Sequence, residues 1–535
     1  METKSPSKSK LQNVGFTFSH NARYRKFVVA FVLIVLISGL GCYYFILKPR
    51  ISMPEDNMST YFSVVIDCGS TGSRVSVFEW MINDKSKTHE GLPVLLRSYP
   101  DSVNKSNGCE YHCMQTEPGL HNFINDESGV RASLEPLIRY AEKRVPLGRR
   151  YKTPIFVLAT AGMRSLLPEN TRRILQNVEN VVQRHGFMYK KSWIRVLSGK
   201  EEAYYGWVAL NYKMGIFRSS SRLSSTLGLL DLGGSSLQIV AEVDSSTGDN
   251  EHSFRSKIGP FEHDIVTYSL PAFGLNEAFD RTVIMLSHTR ALGENSNGMF
   301  EIKHPCLSSG FIRNYTCRGC FGVDNSRKSS ELNSVFLVGE PNWEECEVIA
   351  RAAAINSSSL EISSLKKYHS DCMGLFSYGG NTEHNITKNL HAVLRYHALS
   401  GFFAVYHAMN LSRSANLNMI WEIGEKLCSS RLSSEQESVN GQLCFRVPYL
   451  MSLIENALCL GGAYITFGPG NVSWTLGASL IEGEFLWLHA GKSQHHILTW
   501  GNSLIIVPSS PLLIFVLLSS LLLIVYCCQI KLPKT

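Results

Sequence analysis

The chain has 535 residues, enough for two or three domains of ordinary size. Its composition, 44% hydrophobic and 18% charged, is typical of a globular protein with added membrane segments. The formal net charge is +7, and six of the lysines and arginines lie within the first 26 positions. No long basic stripe with interleaved aromatic residues occurs in the body of the chain, which argues against nucleic acid as a partner.

Two apolar stretches predict membrane-spanning helices. Residues 27–47 carry no charge and are long enough to cross a bilayer, and no small-residue cleavage site follows them as in a signal peptide. Residues 504–528 form the second stretch, which two prolines interrupt. Because basic residues are concentrated in the tail 1–26, we expect this tail and the tail 529–535 to be cytoplasmic. A helix buried in a globular core is the alternative for either stretch.

The part of the chain between the two predicted spans has features of a lumenal or extracellular compartment. Seven N-x-S/T sequons and eleven of the fourteen cysteines lie there. An odd number requires a free thiol, and apolar or glycine-rich surroundings make Cys68 and Cys459 the candidates. Cys317 and Cys320 have no partner pair or histidine at zinc-binding spacing, so we expect disulfides there. The chain is therefore expected in an endomembrane, such as that of the Golgi, or in the plasma membrane.

Short apolar strands alternate with helices along the chain, which predicts an α/β fold. In chain order, strands are predicted at 61–66, 75–80, 155–159, 194–197, 227–232 and 237–242, and helices at 168–185 and 199–212. Residues 290–335 are rich in Gly, Ser, Asn and Cys and predict a disulfide-pinned insertion. Residues 363–383 read as a further loop, and residues 390–410, apolar at helical spacing, predict a core helix.

One short pattern occurs twice, about 160 residues apart. DCGSTGSR (67–74) and DLGGSSLQ (231–238) each end a buried strand in Asp, form a Gly/Ser turn and enter a second strand. Glycines let the backbone approach a ligand, and the successive N–H groups with nearby hydroxyls bind anions. Each Asp can hold a hydrated divalent cation beside phosphates. One such turn closes many ordinary hairpins, but two matched copies predict similar domains facing each other.

Two further segments join this pattern. ATAGMR (159–164) follows a buried strand and predicts a turn near a phosphate. SGKEEAYYGW (198–207) places Glu201 and Glu202 at the opening of a helix. Acidic residues at that position are often favoured only by the helix dipole. Beside a phosphate site, however, one carboxylate can orient and deprotonate a water molecule.

Five segments in order carry a family resemblance: IDCGSTGSR (66–74), ATAGMR (159–164), SGKEEAYYGW (198–207), LDLGGSSLQ (230–238) and SWTLGA (473–478). They resemble the signature regions of the apyrase (nucleoside triphosphate diphosphohydrolase) family, within the actin and sugar-kinase superfamily. The fifth is matched mainly through its tail. The resemblance implies two ribonuclease H-like (actin-like) lobes with a cleft between them. After a neck at 48–60, the first lobe is expected at 61–200, completed by about 466–500, and the second at 201–465.

The same resemblance implies roles for individual residues. Glu202 would be the general base that activates the attacking water, and Asp67 and Asp231 would hold Ca²⁺ or Mg²⁺, largely through water. Nucleoside di- and triphosphates are the implied substrates. Their phosphates would be bound by the two loops Ser70, Thr71, Gly72, Ser73 and Gly233, Gly234, Ser235, Ser236. Thr160 and Gln238 would place the nucleophile and the metal waters, Phe403 with Tyr406 would stack the base, and Trp474 would be structural.

The chain departs from the family pattern at three positions. Ala203 stands where Gly is usual, Leu237 where Thr is usual and Cys68 where Ala is usual. We expect Ala203 to change the contour of the cleft and Leu237 to weaken the ordering of water or metal. A nucleotide-binding receptor without turnover therefore stays an alternative, as does a kinase of the same superfamily, which would need a catalytic Asp and a second-substrate pocket. Two spans are similar to the endomembrane members, which resemble diphosphatases.

Overall fold

The computed structural model describes residues 60–82, 91–100, 114–218, 225–243, 252–258, 261–289, 293–294, 300–318, 332–356, 372–375, 389–391, 393, 395–411, 416–429, 442–488, 499–500 and 503–504. The chain divides into two units, Met58–Gly491 and a unit made of Met1–Asn57 with Lys492–Thr535. In the latter, the described residues are two paired strands, Thr499–Trp500 and Ser503–Leu504. Within the described ranges, no helix has the length and apolarity to cross a bilayer. The predicted spans, apart from Leu504, lie outside those ranges.

The unit Met58–Gly491 begins with a six-stranded mixed sheet. Its strands are β1 (Thr60–Cys68), β2 (Ser73–Met81), β3 (Val94–Tyr99), β4 (Gln115–Thr116), β5 (Ile155–Ala159) and β6 (Ile194–Val196). The order is β3-β2-β1-β5-β6, and β4 pairs with β2. β1 runs antiparallel to β2 and parallel to β5, which is parallel to β6. The helices of this region are α1 (Glu127–Arg144), α2 (Ala161–Arg164), α3 (Pro168–Val182) and α4 (Gly199–Lys213).

A second six-stranded sheet follows in the chain. The remaining elements are β7 (Gly228–Leu232), β8 (Ser236–Glu242), β9 (Ser253–Ile258), β10 (Phe261–Pro271), α5 (Leu275–Thr289), β11 (Gly293–Glu294), β12 (Phe300–His304), β13 (Ile312–Arg318), β14 (Leu332–Gly339), α6 (Trp343–Ala354), β15 (Arg395–Ser400), α7 (Gly401–Ala408), α8 (Leu417–Ser429), α9 (Leu443–Ser452), β16 (Tyr464–Phe467), α10 (Trp474–Glu482) and α11 (Phe485–Leu488). The second sheet has the order β16-β15-β7-β8-β10-β9, and β11-β12-β14-β13 form a smaller sheet.

The two large sheets repeat one arrangement of four strands. β2-β1-β5-β6 in the first corresponds to β8-β7-β15-β16 in the second, with an antiparallel hairpin followed by two parallel strands in both. Asp67 pairs with Arg74 in the first hairpin, and Asp231 pairs with Gln238 at the same register in the second. The repeated sequence pattern therefore corresponds to a repeated supersecondary structure.

Three clusters of buried hydrophobic residues lie between the sheets and helices of this unit. Val64 and Ile66 of β1 face one way, in a cluster with α1 and α3, whereas Val65 faces the other way. The cluster of Val65 includes α4, α10 and inner residues of the second sheet, and α5, α6 and α9 cover that sheet's outer face. Such alternation along a strand is expected when both faces of a sheet are covered. Helices α4 and α10 thus lie between the two sheets.

These two central helices approach each other very closely. A Cβ atom at Gly477 of α10 would lie 1.9 Å from the carbonyl oxygen of Tyr205 in α4. No side chain fits there, because the obstacle is backbone that cannot rotate away. Glycine at this position therefore fixes the distance between the helix that carries Glu202 and its neighbour.

The α/β class and most predicted strands and helices are confirmed to within a few residues. The core helix predicted at 390–410 is wrong in its first part, because Arg395–Ser400 form strand β15 and only Gly401–Ala408 are helical. The strand lies between β7 and β16 and is buried. A short apolar run that is buried on both faces shows no alternation of polar and apolar residues, so its sequence cannot be told from that of a buried helix. The disulfide Cys306–Cys346 joins residues 290–335 to α6.

The prediction about free cysteines is half right. Cys68 is unpaired and buried among the described residues. Cys459 is bonded to Cys372, and the prediction for it is wrong: the turn that follows α9 brings the two Cα atoms to 5.1 Å. A further disulfide joins Cys428 and Cys444. The side chains of Cys317 and Cys320 lie outside the described part.

Candidate active site

A cleft of about 390 Å³ lies where the turns of the two hairpins meet. The turns face each other closely: a Cβ atom built at Gly234 would lie 3.4 Å from Ser70 Oγ and 3.5 Å from Thr71 Cγ2. Strands β1, β5 and β7 all end at this cleft, so their carboxyl ends supply its walls. The residues that the two sequence repeats mark are therefore brought together.

Two aspartates occupy equivalent strand ends in the cleft. Burial raises the pKa of Asp67 to about 6, with the Arg74 guanidinium opposing and the Asp231 carboxylate adding to the rise. Burial also raises the pKa of Asp231, against a hydrogen bond from the Ser400 side chain. Because each charge is costly without a counter-ion, the pair favours a bound cation.

The donor set fits a cation that is held mainly through water. Asp67 Oδ1 is buried and has no hydrogen-bond partner among the described residues. Across the described ranges, no group of three or more His, Cys, Asp or Glu side chains could enclose a metal ion. Two carboxylates with open positions suit Ca²⁺ or Mg²⁺, which take oxygen ligands, and Mg²⁺ usually keeps several of its waters.

Helix α4 separates the roles of its two adjacent glutamates. Ser198 caps the helix: its Oγ accepts from Glu201 N at 3.2 Å, and Glu201 Oε2 accepts from Ser198 N at 2.8 Å. Arg195 also donates to Glu201 at 2.7 Å. Consecutive helical side chains point about 100° apart, so Glu202 faces another direction. That direction is the cleft, which Glu202 lines and Glu201 does not.

The Glu202 carboxylate is paired with Arg164, to which the sequence assigned no role of its own. Arg164 Nη1 donates to Glu202 Oε2 at 2.9 Å and to the carbonyl oxygen of Leu197 at 3.1 Å. The turn at 159–164 was expected near a phosphate, but its arginine orients this carboxylate. The pairing depends on the docking of α4 against α2, which no local sequence pattern encodes.

Three electrostatic effects set the protonation of Glu202. Burial raises its pKa to about 7, Arg164 opposes this, and the carboxylates of Asp67 and Asp231 add to it. Burial also acts on Glu201, but hydrogen bonds from Ser198 and Arg195 outweigh it and lower the pKa of that group. A general base works best with a pKa near the operating pH, so Glu202 is the better suited of the two.

The two predicted phosphate loops contribute unequally to the cleft wall. Ser70 and Thr71 line it in the first loop, as do all four residues of the second: Gly233, Gly234, Ser235 and Ser236. Gly72 and Ser73 are buried and do not line it. A Cβ atom at Gly72 would lie 2.4 Å from the carbonyl oxygen of Thr116, so this glycine shapes the loop from behind.

Thr160 and Gln238 both line the cleft. Thr160 N donates to the carbonyl oxygen of Cys68 at 3.1 Å, and Gln238 Nε2 donates to Ser236 Oγ at 2.7 Å. The sequence did not identify Ser400, whose side chain bonds Asp231. Ser400 ends β15 as Ala159 ends β5, and its φ of +52° is a strained value of the kind found at functional sites. A strand assignment for 395–400 would have revealed it.

Arg74 is a second functional residue that sequence reasoning did not assign. It lies opposite Asp67 in the hairpin and lines the cleft, with Nη1 at 3.7 Å from Asp67 Oδ2. Nη2 donates to Thr71 Oγ1 at 3.1 Å, whereas the buried Nε has no hydrogen-bond partner in the part of the chain that the structure describes. Its position beside the phosphate loop, with donors to spare, suits contact with an anion.

Neither residue assigned to base stacking lines the cleft. Phe403 packs against the loop 468–470, where a Cβ at Gly470 would lie 2.2 Å from Phe403 Cε1. Tyr406 is 2% exposed and stacks on Phe467 at 4.6 Å, so it belongs to the core. Trp474 is mostly buried at the start of α10, where it also borders the cleft.

Two of the departures from the family pattern do not reach the cleft. Ala203 is fully buried in the central cluster with α4 and α10. Leu237 lies between Ser236 and Gln238 on β8, so its side chain faces the opposite side of the strand, in the core. Both replacements are therefore packing changes, and the polar cleft face of β8 is intact.

Known proteins resemble this chain over most of its length. The GDA1/CD39 (nucleoside phosphatase) family matches residues 53–485, and the chain belongs to this family. It is 36% identical over 471 residues to a probable apyrase of Arabidopsis thaliana (Probable apyrase 7), covering 86% of this chain and 61% of the relative's length. It is 24% identical to a nucleoside-diphosphatase of Caenorhabditis elegans, with 80% of this chain and 78% of that protein covered. The expected class, a nucleoside phosphohydrolase, is confirmed.

The fold also has a solved counterpart. Nucleoside triphosphate hydrolases from Neospora caninum share it with a TM-score of 0.53 at 15% identity, covering 81% of this chain and 94% of that chain. At this identity the likeness concerns the fold alone, an α/β actin-like arrangement with mixed sheets.

Proposed function

We propose that this protein removes terminal phosphates from nucleoside di- and triphosphates by attack of a water molecule that Glu202 deprotonates. The observation that carries the proposal is the position of Glu202, which lines a cleft between two facing Gly/Ser loops and is oriented by Arg164. Phosphoryl transfer to water depends on positioning and charge neutralisation, and it needs no covalent intermediate on the protein.

The residues of the chain divide the work in a simple way. The backbone N–H groups and hydroxyls of the loops at Ser70–Thr71 and 233–236 bind the phosphates. Thr160 and Gln238 position the water, and Arg74 contributes positive charge beside Thr71. Asp67 and Asp231 would hold Ca²⁺ or Mg²⁺, which neutralises phosphate charge when bound.

Phe403 is the residue proposed to stack on the nucleotide base. Phe403 lies on α7, whose first residue and Ala404 line the cleft. The Phe403 ring packs against Gly470, which lines the cleft, and an aromatic ring there suits stacking on a planar base. Stacking without hydrogen bonds to the base would tolerate several nucleosides.

The test is phosphate release from a panel of nucleotides by the purified full chain. Glu202→Gln keeps the shape of the side chain and should lower turnover by about a hundredfold or more, since a positioned general base contributes about two to four powers of ten. Glu201→Gln is the matched control on the same helix. It keeps a capping-box acceptor for Ser198 N and removes only the charge that pairs with Arg195, so it should have little effect on turnover. Near-normal turnover of Glu202→Gln contradicts the assigned base.

The same assay separates the two rival functions. Nucleotide binding without any phosphate release by the wild-type chain would favour a receptor. Transfer of phosphate to an added acceptor, with little release to water, would favour a kinase. Release to water at a rate far above the Glu202→Gln variant supports the hydrolase.

We also propose a two-pass membrane protein with its catalytic part in a lumenal or extracellular compartment. The uncharged stretch 27–47, the basic tail before it and the sequons between the stretches support this. Glycosidase treatment should lower the apparent mass, and tags at both termini should be accessible from the cytosol. A fully unglycosylated chain, or a terminal tag protected inside intact vesicles, contradicts this topology.

The preferred substrates are proposed to be nucleoside diphosphates. A relative at 24% identity is a nucleoside-diphosphatase, and two spans are the pattern of endomembrane members. UDP or GDP should be hydrolysed at least as fast as ATP. A strong preference for ATP over every diphosphate contradicts an endomembrane role.

A further inference from the structure

The loop 468–473 joins strand β16 to helix α10 and lies at the catalytic edge of the second sheet. β16 runs parallel to β15, and β15 runs parallel to β7, the strand that carries Asp231. The carboxyl ends of parallel strands lie at the same edge of a sheet, which is where ligands of open α/β sheets bind. The chain therefore leaves β16 beside the cleft, and residues 470–473 line it.

This loop contains a sequon for N-linked glycosylation, Asn-Val-Ser at 471–473. The structure describes four sequon asparagines, Asn314, Asn356, Asn410 and Asn471. Of these four, Asn471 alone lines the cleft, and it is also exposed to solvent. A residue that lines a cavity and is exposed lies at its opening. A group attached to Asn471 would therefore stand at the mouth of the cleft.

The two residues after Asn471 are fixed by the fold. Val472 is buried in the central hydrophobic cluster with α4 and α10. Ser473 caps α10, and its Oγ accepts a hydrogen bond from Thr475 N at 3.3 Å. Because these neighbours are anchored, the position of Asn471 on the rim is set by the start of α10.

The residue before Asn471 touches the part of the cleft assigned to the nucleotide base. A Cβ atom at Gly470 would lie 2.2 Å from Phe403 Cε1, so the backbone of the loop packs directly on this ring. A glycan on Asn471 would thus begin one residue away from the proposed stacking partner of the base.

The size of the cleft gives such a glycan a consequence. Its volume of about 390 Å³ is in the range of pockets that enclose one small molecule. An N-linked glycan is bulky and hydrophilic, and it extends from the surface into solvent. A free nucleotide can pass beside a mobile glycan. A nucleotide attached to a macromolecule must push the glycan aside, which costs conformational freedom.

We propose that Asn471 carries an N-linked glycan that screens the cleft, so that free nucleotides enter and nucleotides attached to macromolecules are excluded. The proposal rests on the hydrolase function and on the lumenal or extracellular location proposed above. The sugar donor is a lipid-linked oligosaccharide diphosphate. In the transfer, the side-chain nitrogen of Asn471 loses a proton and bonds C1 of the first sugar, and the lipid diphosphate leaves.

Occupancy of the site is measured on the full chain produced in eukaryotic cells. Peptide N-glycosidase in heavy-oxygen water converts each glycosylated asparagine to a labelled aspartate, which peptide mass spectrometry locates. We expect the label at position 471 in the wild type. Ser473→Thr keeps the sequon and a capping hydroxyl, so this variant should retain the label. Asn471→Gln should lose it.

Screening is measured with free UDP and with UDP coupled through its base to dextran. The ratio of kcat/KM for coupled UDP to kcat/KM for free UDP should rise about tenfold in Asn471→Gln, equivalent to about 1.4 kcal/mol. Asn314→Gln is the matched control, because Asn314 is exposed on β13 of the smaller sheet and does not line the cleft. Its ratio should equal that of the wild type. Endoglycosidase digestion of the folded wild type should raise the ratio without any substitution, which covers a failure of Asn471→Gln to fold.

The outcomes separate this proposal from the two on which it rests. If other sequons are labelled and position 471 is not, the glycan is overturned and the topology stands. If no sequon is labelled, the topology and the glycan both fail, while phosphate release from free UDP still reports on hydrolysis. If position 471 is labelled but neither Asn471→Gln nor digestion raises the ratio, screening is overturned. Absence of phosphate release from free UDP overturns the hydrolase, and the label at position 471 is read independently of it.

Discussion

Replacing Arg164 by glutamine should move the pH dependence of hydrolysis upwards. The Arg164 cation lies 2.9 Å from the Glu202 carboxylate and lowers a pKa that burial holds at about 7. Without the cation, the ionised form loses its stabilisation, so the pKa rises. The base then gives up its proton only at higher pH. Activity limited by an unprotonated Glu202 should therefore need more alkaline solution.

The size of the shift follows from the geometry. Unit charges about 4 Å apart at an effective dielectric constant of about 20 interact by about 4 kcal/mol, which is an upper bound of about three pKa units. Carboxylates beside arginine shift by about one to three units, so a midpoint of about 8 to 10 is expected. At pH 7, kcat/KM should fall about fivefold or more, and it should recover as the pH rises through that midpoint.

The assay is a profile of kcat/KM against pH for the wild type, Arg164→Gln and a control. Arg195→Gln is the control, because Arg195 pairs with Glu201 at 2.7 Å and Glu482 at 2.9 Å and has no contact with Glu202. It should lower Tm and leave the midpoint in place. If Arg164→Gln leaves the midpoint of the pH profile unchanged and raises KM, Arg164 binds phosphate and does not set the pKa of Glu202.

Three other outcomes are expected. Chelation of divalent cations should abolish phosphate release, and Asp67→Asn or Asp231→Asn should each lower its rate severely. Full activity in excess chelator would contradict the assignment of both aspartates to a metal site. Gly477→Ala should destabilise the protein by several kcal/mol in a denaturant titration, although alanine favours a helix by about 1 kcal/mol over glycine. Gly148→Ala is the control and should not destabilise the protein, because a Cβ atom there would meet no described atom within 4 Å. Equal midpoints for the two variants would contradict the close packing of α10. Cys459→Ser should cost about 2–5 kcal/mol by opening a disulfide across 87 residues, and an unchanged Tm would show that the bond contributes nothing.

Local patterns account for what the sequence could predict. The hairpins around Asp67 and Asp231 and the helix start at Glu202 are each encoded within about ten consecutive residues, where glycine, hydroxyl and carboxylate positions fix a turn or a cap. The α/β class follows from the same alternation of short strands and helices. These features therefore needed no knowledge of tertiary packing.

The features that the sequence missed depend on contacts between distant segments. The partner of Arg164 is set by how α2 and α4 dock, and the disulfide of Cys459 by the path of a segment 87 residues earlier. Ser400 was hidden because a short buried strand and a short buried helix have the same apolar composition. In each case the missing information is a spatial neighbour.

The two hairpins carry different side chains at the same position, Arg74 in the first and Gln238 in the second, so the two sides of the cleft differ in charge. Two hairpins with the same side chain at this position would attract an elongated anion equally from either side. A guanidinium on one side and a neutral amide on the other make the two orientations of such an anion unequal in energy. The difference at this one position of the repeated pattern would therefore favour one orientation of the ligand.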